Sequence, residues 1–157
     1  MKKIYNIEGI IRNGFKLSRD YETLDFSFGK LRDDAICSLA KSRSVKQLKR
    51  LIISGQKLTA VSAQALAESD YLPNLESLKL YKNKIGDEGA KYLAESKKLP
   101  NLKTIRLAWN EIGPEGARSI AESQNLENLT ALVLSENSIG DDGLKYLAES
   151  ENLGNLE

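Results

Sequence analysis

The chain of 157 residues has no histidine, one cysteine, one tryptophan and three prolines, and each scarcity removes a class of function. Without histidine there is no Ser-His-Asp or Cys-His arrangement and no imidazole ligand for a metal. Cys37 alone cannot close an internal disulfide, which fits a reducing compartment and makes a cytoplasmic location the expectation. No apolar run approaches the ~20 residues that a membrane-spanning helix needs. The opening MKKIYNIEGIIRNG has two lysines but neither an uninterrupted apolar stretch nor a small-residue cleavage site, so no signal peptide is expected. Walker, GxGxxG and EF-hand spacings are absent, and with them the usual grounds for expecting a cofactor.

What remains is 41% hydrophobic and 29% charged, the composition of a globular domain. The net charge is only +1, yet it is divided. Residues 1–57 carry 13 Lys/Arg against 6 Asp/Glu, and residues 58–157 carry 10 against 16, so one end is basic and the other acidic.

The organising feature is a repeat of 27 residues with no insertion or deletion, starting at 18, 45, 72, 99 and 126 and beginning again at 153. LPNLESLKLYKNKIGDEGAKYLAESKK, LPNLKTIRLAWNEIGPEGARSIAESQN and LENLTALVLSENSIGDDGLKYLAESEN share the pattern LxxLxxLxLxxNxIGxxGAxxLAxS. The LxL step, as in Leu78 and Leu80, has the period of two that puts both leucines on one face of a strand. Ala90, Leu93 and Ala94 have the spacing of the buried stripe of a helix. Asp87, Pro114 and Asp141 suit helix starts, so each unit reads as strand, turn and helix. The unit beginning at 18 is degenerate, with Tyr21, Phe26 and Gly29 where Leu, Leu and Asn are expected, and Gln56 replaces the asparagine of the next.

These repeats resemble the ribonuclease-inhibitor-like class of leucine-rich repeats, over residues 18–157. The resemblance implies an α/β solenoid, a right-handed β-α superhelix forming a horseshoe segment with parallel strands on the concave face and helices on the convex side. Residues 1–17 lack the motif; Ile4, Ile7, Ile10, Ile11 and Phe15 are expected to cover the first unit as a cap, helix or hairpin, with Asn13-Gly14 as a turn signal. A single unit cannot bury enough apolar surface to offset the entropy of ordering its backbone, so the units fold as an array.

Recurring residues belong to that framework. Asn83, Asn110 and Asn137 read as side-chain amides that satisfy loop backbone groups, and Gly89, Gly116 and Gly143 as points where the helix approaches the sheet. Cys37 falls at an outward helix position held elsewhere by Gln64, Lys91, Arg118 and Lys145. Asn128-Leu129-Thr130 is a glycosylation sequon by pattern alone.

Identity therefore sits in the positions that do not recur. By the register, Thr23, Asp25, Ser27 and Phe28; Arg50, Ile52, Ser54 and Gly55; Ser77, Lys79, Tyr81 and Lys82; Thr104, Arg106, Ala108 and Trp109; and Ala131, Val133, Ser135 and Glu136 project to the concave face. Arg50, Lys79, Tyr81, Lys82, Arg106 and Trp109 form a basic, aromatic patch, with Lys57 and Lys84 at its flank. Trp, Tyr and Arg dominate binding hot spots, so a protein partner with an acidic surface is expected and catalysis is not. Single-stranded nucleic acid is disfavoured because no long basic stripe runs along the face. Two alternatives stand beside this reading. One is self-association through the C-terminal edge, where Leu129, Leu132, Leu134 and Leu147 have only Leu153 and Leu156 beyond them. The other is regulation of a partner enzyme, with Arg106 acting on a phosphate.

Overall fold

The computed structural model describes residues 6–27 and 29–157, so Ile4 and Phe28 lie outside the described residues. A helix α1 (Ile7–Ser18) precedes five strand–helix units. These are β1 (Thr23–Asp25) and α2 (Asp33–Ala40), β2 (Arg50–Ile52) and α3 (Ala60–Ala67), β3 (Ser77–Lys79) and α4 (Gly86–Glu95), β4 (Thr104–Arg106) and α5 (Pro114–Ala121), and β5 (Ala131–Val133) and α6 (Gly140–Ala148). A 3-10 turn at Arg43–Val45 lies between α2 and β2. The strands pair in parallel in chain order, and each pairing is offset by 27 residues, as in Leu24↔Leu51, Leu51↔Leu78, Leu78↔Ile105 and Ile105↔Leu132. The alternation of the LxL step sends Leu24, Leu51, Leu78 and Ile105 into a core closed on its other side by Leu39, Leu66, Leu93 and Ile120 of the helices.

Turns between strand and helix bury backbone that neither element satisfies, and the recurring amide does so instead. Asn83 Oδ1 accepts from the Gln56 and Leu58 amides of the preceding unit at 2.9 and 3.2 Å, while its Nδ2 donates to the Ile53 and Leu80 carbonyls. Asn137 repeats this toward Asn110 and Ile112. Gln56 fills the same role one unit earlier, its Oε1 accepting from Leu31 and its Nε2 donating to Phe26 and Ser54 carbonyls. The serine that closes the consensus forms a second ladder: Ser69, Ser96, Ser123 and Ser150 each donate a hydroxyl to an alanine carbonyl in the last turn of the previous helix, at 2.5–2.6 Å. A third uses Asn74, Asn101, Asn128 and Asn155. The amide of the Asn128 sequon is thus a rung of that ladder.

The turns alternate with a period of two units. Lys57 and Glu111 take left-handed φ (58° and 60°), whereas the intervening turns place that conformation at Gly86 and Gly140 (62° and 65°). The cause is in the sequence. Threonine holds the glycine's place at Thr59, and Pro114 forces Gly113 into an extended conformation, so in those units an earlier residue makes the bend.

Two expectations need correction. Asn13-Gly14 is no turn: it lies inside α1, where Gly14 is buried because a Cβ there would come within 2.7 Å of Leu24 Cδ2. Its lack of a side chain lets α1 close on β1, with Ile11 and Phe15 entering the core. Glu8 then ties α1 to the 3-10 turn by accepting from the Ser42 and Ser44 hydroxyls at 2.6 Å each. Gly89, Gly116 and Gly143, for their part, give close approach between helices rather than of helix to sheet. A Cβ on Gly89 would meet Ala60 and Ala63 of α3, and one on Gly143 would meet Pro114 and Ala117 of α5, besides the isoleucine of its own turn.

Asn110 is fully buried, bonding the Leu80 and Ala108 carbonyls and the Ile85 amide, whereas Asn137 is half-buried. Asn110→Ala is expected to cost about 2–4 kcal/mol by urea unfolding, because it strands buried backbone groups in two units. Asn137→Ala should cost clearly less.

Candidate partner-binding face

The strand register builds the outer face row by row. One row runs Asp25, Ile52, Lys79, Arg106, Val133, and the next Ser27, Ser54, Tyr81, Ala108, Ser135. Lys79 and Arg106 are therefore direct neighbours on adjacent strands, bracketed by the half-buried Ile52 and Val133. Beyond the strand ends Lys82, Trp109 and Glu136 take left-handed φ of 56°, 59° and 57°, where the second unit has Gly55 at 67°. These turns are held by cross-unit bonds, Lys82 N to Ala108 O at 2.9 Å and Trp109 N to Ser135 O at 3.1 Å. The turns present Tyr81 at 44% and Trp109 at 48% exposure, so Trp109 is not swallowed by the interior. Ala108 is the exception in its row, at 6% exposure, and forms a floor between larger neighbours.

The predicted cations divide into two groups. Arg50 is committed within the chain: its Nη2 lies 2.6 Å from Asp20 Oδ2, its Nε donates to Thr23 Oγ1 at 2.8 Å, and Glu22 stands 3.8 Å away. Lys49 pairs with Glu22 and the flanking Lys84 with Glu111 at 3.1 Å. Among the described residues, Lys79, Lys82 and Arg106 make no salt bridge. The structure thus brings Lys79, Tyr81, Lys82, Arg106 and Trp109 to one open part of the face and ties Arg50 into a network at its first strand. Ile52 and Val133, which join the patch, have no signal in the sequence beyond their place in the register.

On the helix side several charges are paired within the chain. The groove between α4 and α5 is lined by Glu88, Glu115 and the intrahelical pairs Lys91–Glu95 and Arg118–Glu122, and smaller grooves lie between α3 and α4 and between α5 and α6. Cys37 is partly covered on α2; burial, and then the carboxylate of Asp33, push its thiol pKa upward, which keeps it protonated and a poor nucleophile. Among the described residues, no helix is long and apolar enough to cross a membrane.

Comparison with known proteins fits this architecture. A family model described as leucine rich repeat matches residues 71–94, 98–121 and 125–148. The tropomodulin C-terminal domain of Caenorhabditis elegans superposes with a TM-score of 0.70 at 14% identity, covering 96% of this chain and 93% of that one. Actin-binding site 2 of leiomodin-1 superposes with a TM-score of 0.67 at 11% identity, covering 98% and 90%. No curated protein matches the sequence. Residues 71–148 thus carry three leucine-rich repeats, within an α/β solenoid of parallel strands and stacked helices. At these identities the two superpositions speak for the fold alone.

Two carboxylates hold the basic end together. The Glu22 amide, the Thr23 hydroxyl and Arg50 keep Asp20 well below the usual carboxylate range, and the Ser42 and Ser44 hydroxyls lower Glu8. A depressed carboxylate adds stability that is present at neutral pH and lost as pH falls through its folded value. Wild type should therefore lose stability below about pH 4 more steeply than a Glu8→Gln, Asp20→Asn double variant, which should start lower at pH 7. Parallel curves in urea titrations at each pH would contradict the assignment.

Proposed function

We propose that the chain is a protein-binding module of the ribonuclease-inhibitor-like class, without catalysis of its own, that takes its partner on the strand face. The observation that carries this reading is the exposure of Tyr81 and Trp109 on neighbouring units, beside cations that make no salt bridge among the described residues. Large aromatic side chains left half in water contribute little to folding and much to an interface. The partner presents an acidic surface to Lys79, Lys82 and Arg106, and the encounter takes place in the cytoplasm. Leiomodin-1 uses a domain of this fold as an actin-binding site, which makes actin a first candidate to test. Arg50 serves as the fixed border of the contact area. The 27-residue period, with a full helix in each unit, supports the subclass.

A second reading, self-association, is favoured by one feature: β5 is the sheet edge, and Leu132 and Leu134 beneath it are only half-buried while Leu144 on α6 is exposed. Head-to-tail addition is hindered because two amides along the outer edge at β1 are already used, Thr23 N by Asp20 and Ser27 N by Asp25. Pairing of two β5 edges would bring the acidic ends of two copies together, which repel. This places partner binding first.

Tyr81→Ala with Trp109→Ala should abolish capture of the partner found by pull-down, or of actin, while leaving the circular dichroism spectrum unchanged. Full retention of the partner would mean that another face makes the contact. For self-association, light scattering should show the mass of one chain at neutral pH; a dimer that dissociates on Leu132→Lys would reverse the ranking.

A further inference from the structure

Three neighbouring features of the strand face cost the folded chain stability. Lys79 and Arg106 stand in register on strands ~4.8 Å apart, and like charges side by side on one sheet face repel. Among the described residues no carboxylate neutralises them, although one strand further on Arg50 is neutralised by Asp20 and Glu22. Ile52 on one side and Val133 on the other continue the same row, so the two cations have apolar rather than acidic neighbours along it. Trp109, one turn beyond, holds a left-handed φ of 59° that suits glycine and is strained for a bulky side chain, and its ring remains 48% exposed. Gly55 occupies the equivalent place in the second unit with φ 67° and open space around its Cα, so the turn does not require a side chain there.

Resting on the strand-face reading above, we infer that Lys79 and Arg106 form a receptor for a side-chain carboxylate of an acidic protein segment, and that Tyr81 and Trp109 hold the apolar residue next to it. The Arg106 guanidinium offers a planar fork to both oxygens of a carboxylate, and Lys79 adds a third donor from the adjacent strand. A bound carboxylate removes the repulsion that the free protein carries. The aromatic pair lies past the strand ends on the same side, with Ala108 as the floor between, so a short acidic segment crossing the row places one carboxylate on the cations and its neighbouring apolar side chain on the rings. Charge without a salt bridge and half-exposed aromatic rings thus lie together on this part of the face.

The sole tryptophan reports on this site directly. Titration with a capped hexapeptide of glutamate and leucine should change Trp109 fluorescence saturably, and a capped peptide with glutamine for glutamate should not. Lys79→Glu supplies Arg106 with a neighbouring carboxylate, so it should raise the melting temperature while weakening peptide binding by about tenfold or more. Trp109→Gly, followed by calorimetry of peptide binding, should also leave the melting temperature equal or higher and abolish binding. The inference is overturned if either variant melts lower, if Lys79→Glu binds the peptide as wild type does, or if inorganic phosphate changes the fluorescence at the same concentration as the peptide. Loss of the natural partner on Tyr81→Ala with Trp109→Ala, together with full retention on Lys79→Glu, would leave the strand-face reading in place and remove the carboxylate receptor alone.

Discussion

Each turn of this solenoid depends on a hydrogen bond it cannot make within its own unit. The amides of Gln56 and Leu58 reach the Asn83 side chain, the Ile85 amide reaches Asn110, and those of Asn110 and Ile112 reach Asn137. A buried amide without an acceptor is costly, and for these amides the acceptor lies in the following unit, while those of Lys84 and Ser138 reach back to carbonyls of the preceding one. The three-residue strands, the serine hydroxyls at the helix ends and the second asparagine ladder impose the same dependence at other points of the cross-section. Cooperativity between units follows from this wiring as much as from the shared apolar core.

That constraint also explains where function can reside. The residues that close the core and those that satisfy backbone groups recur every 27 positions and admit little change. The outward row positions of the strands and the first turn residue carry no such duty, and there the chain has placed Ile52, Lys79, Tyr81, Arg106, Trp109 and Val133 in adjacent columns. At the basic end the same positions are spent on a closed network of Asp20, Glu22, Thr23, Lys49 and Arg50, which with α1 and its Glu8 ties finishes the first unit. The face is therefore divided into a part that is internally satisfied and a part that is not.

Most of the fold was legible because the two periodicities, two residues in the strand and 3.6 in the helix, recur at fixed phase in every unit. The register of the sheet could be written down from Leu24, Leu51, Leu78 and Ile105 alone. Legibility failed where a local signal met a tertiary demand. Asn13-Gly14 reads as a turn, but the close packing of Gly14 on Leu24 and Phe26 keeps it in a helix. Tyr21 stands at a leucine position yet stays outside, with φ 55° and its ring 6.3 Å from that of Phe15. The patch was legible as a set of outward residues. Its division was not, because the capture of Arg50 depends on Asp20, thirty residues earlier and outside the strand pattern, together with Thr23 of β1.

Native-state amide hydrogen exchange tests the central claim, that the units stand only by leaning on their neighbours. The amides of β3, β4 and the turns at Asn83 and Asn110 should exchange through one common opening, with a single free energy and denaturant dependence, while those of β5 and α6, which have a neighbour on one side only, should open at lower cost. Five separate exchange energies, one for each unit and with no decline toward the β5 end, would contradict it.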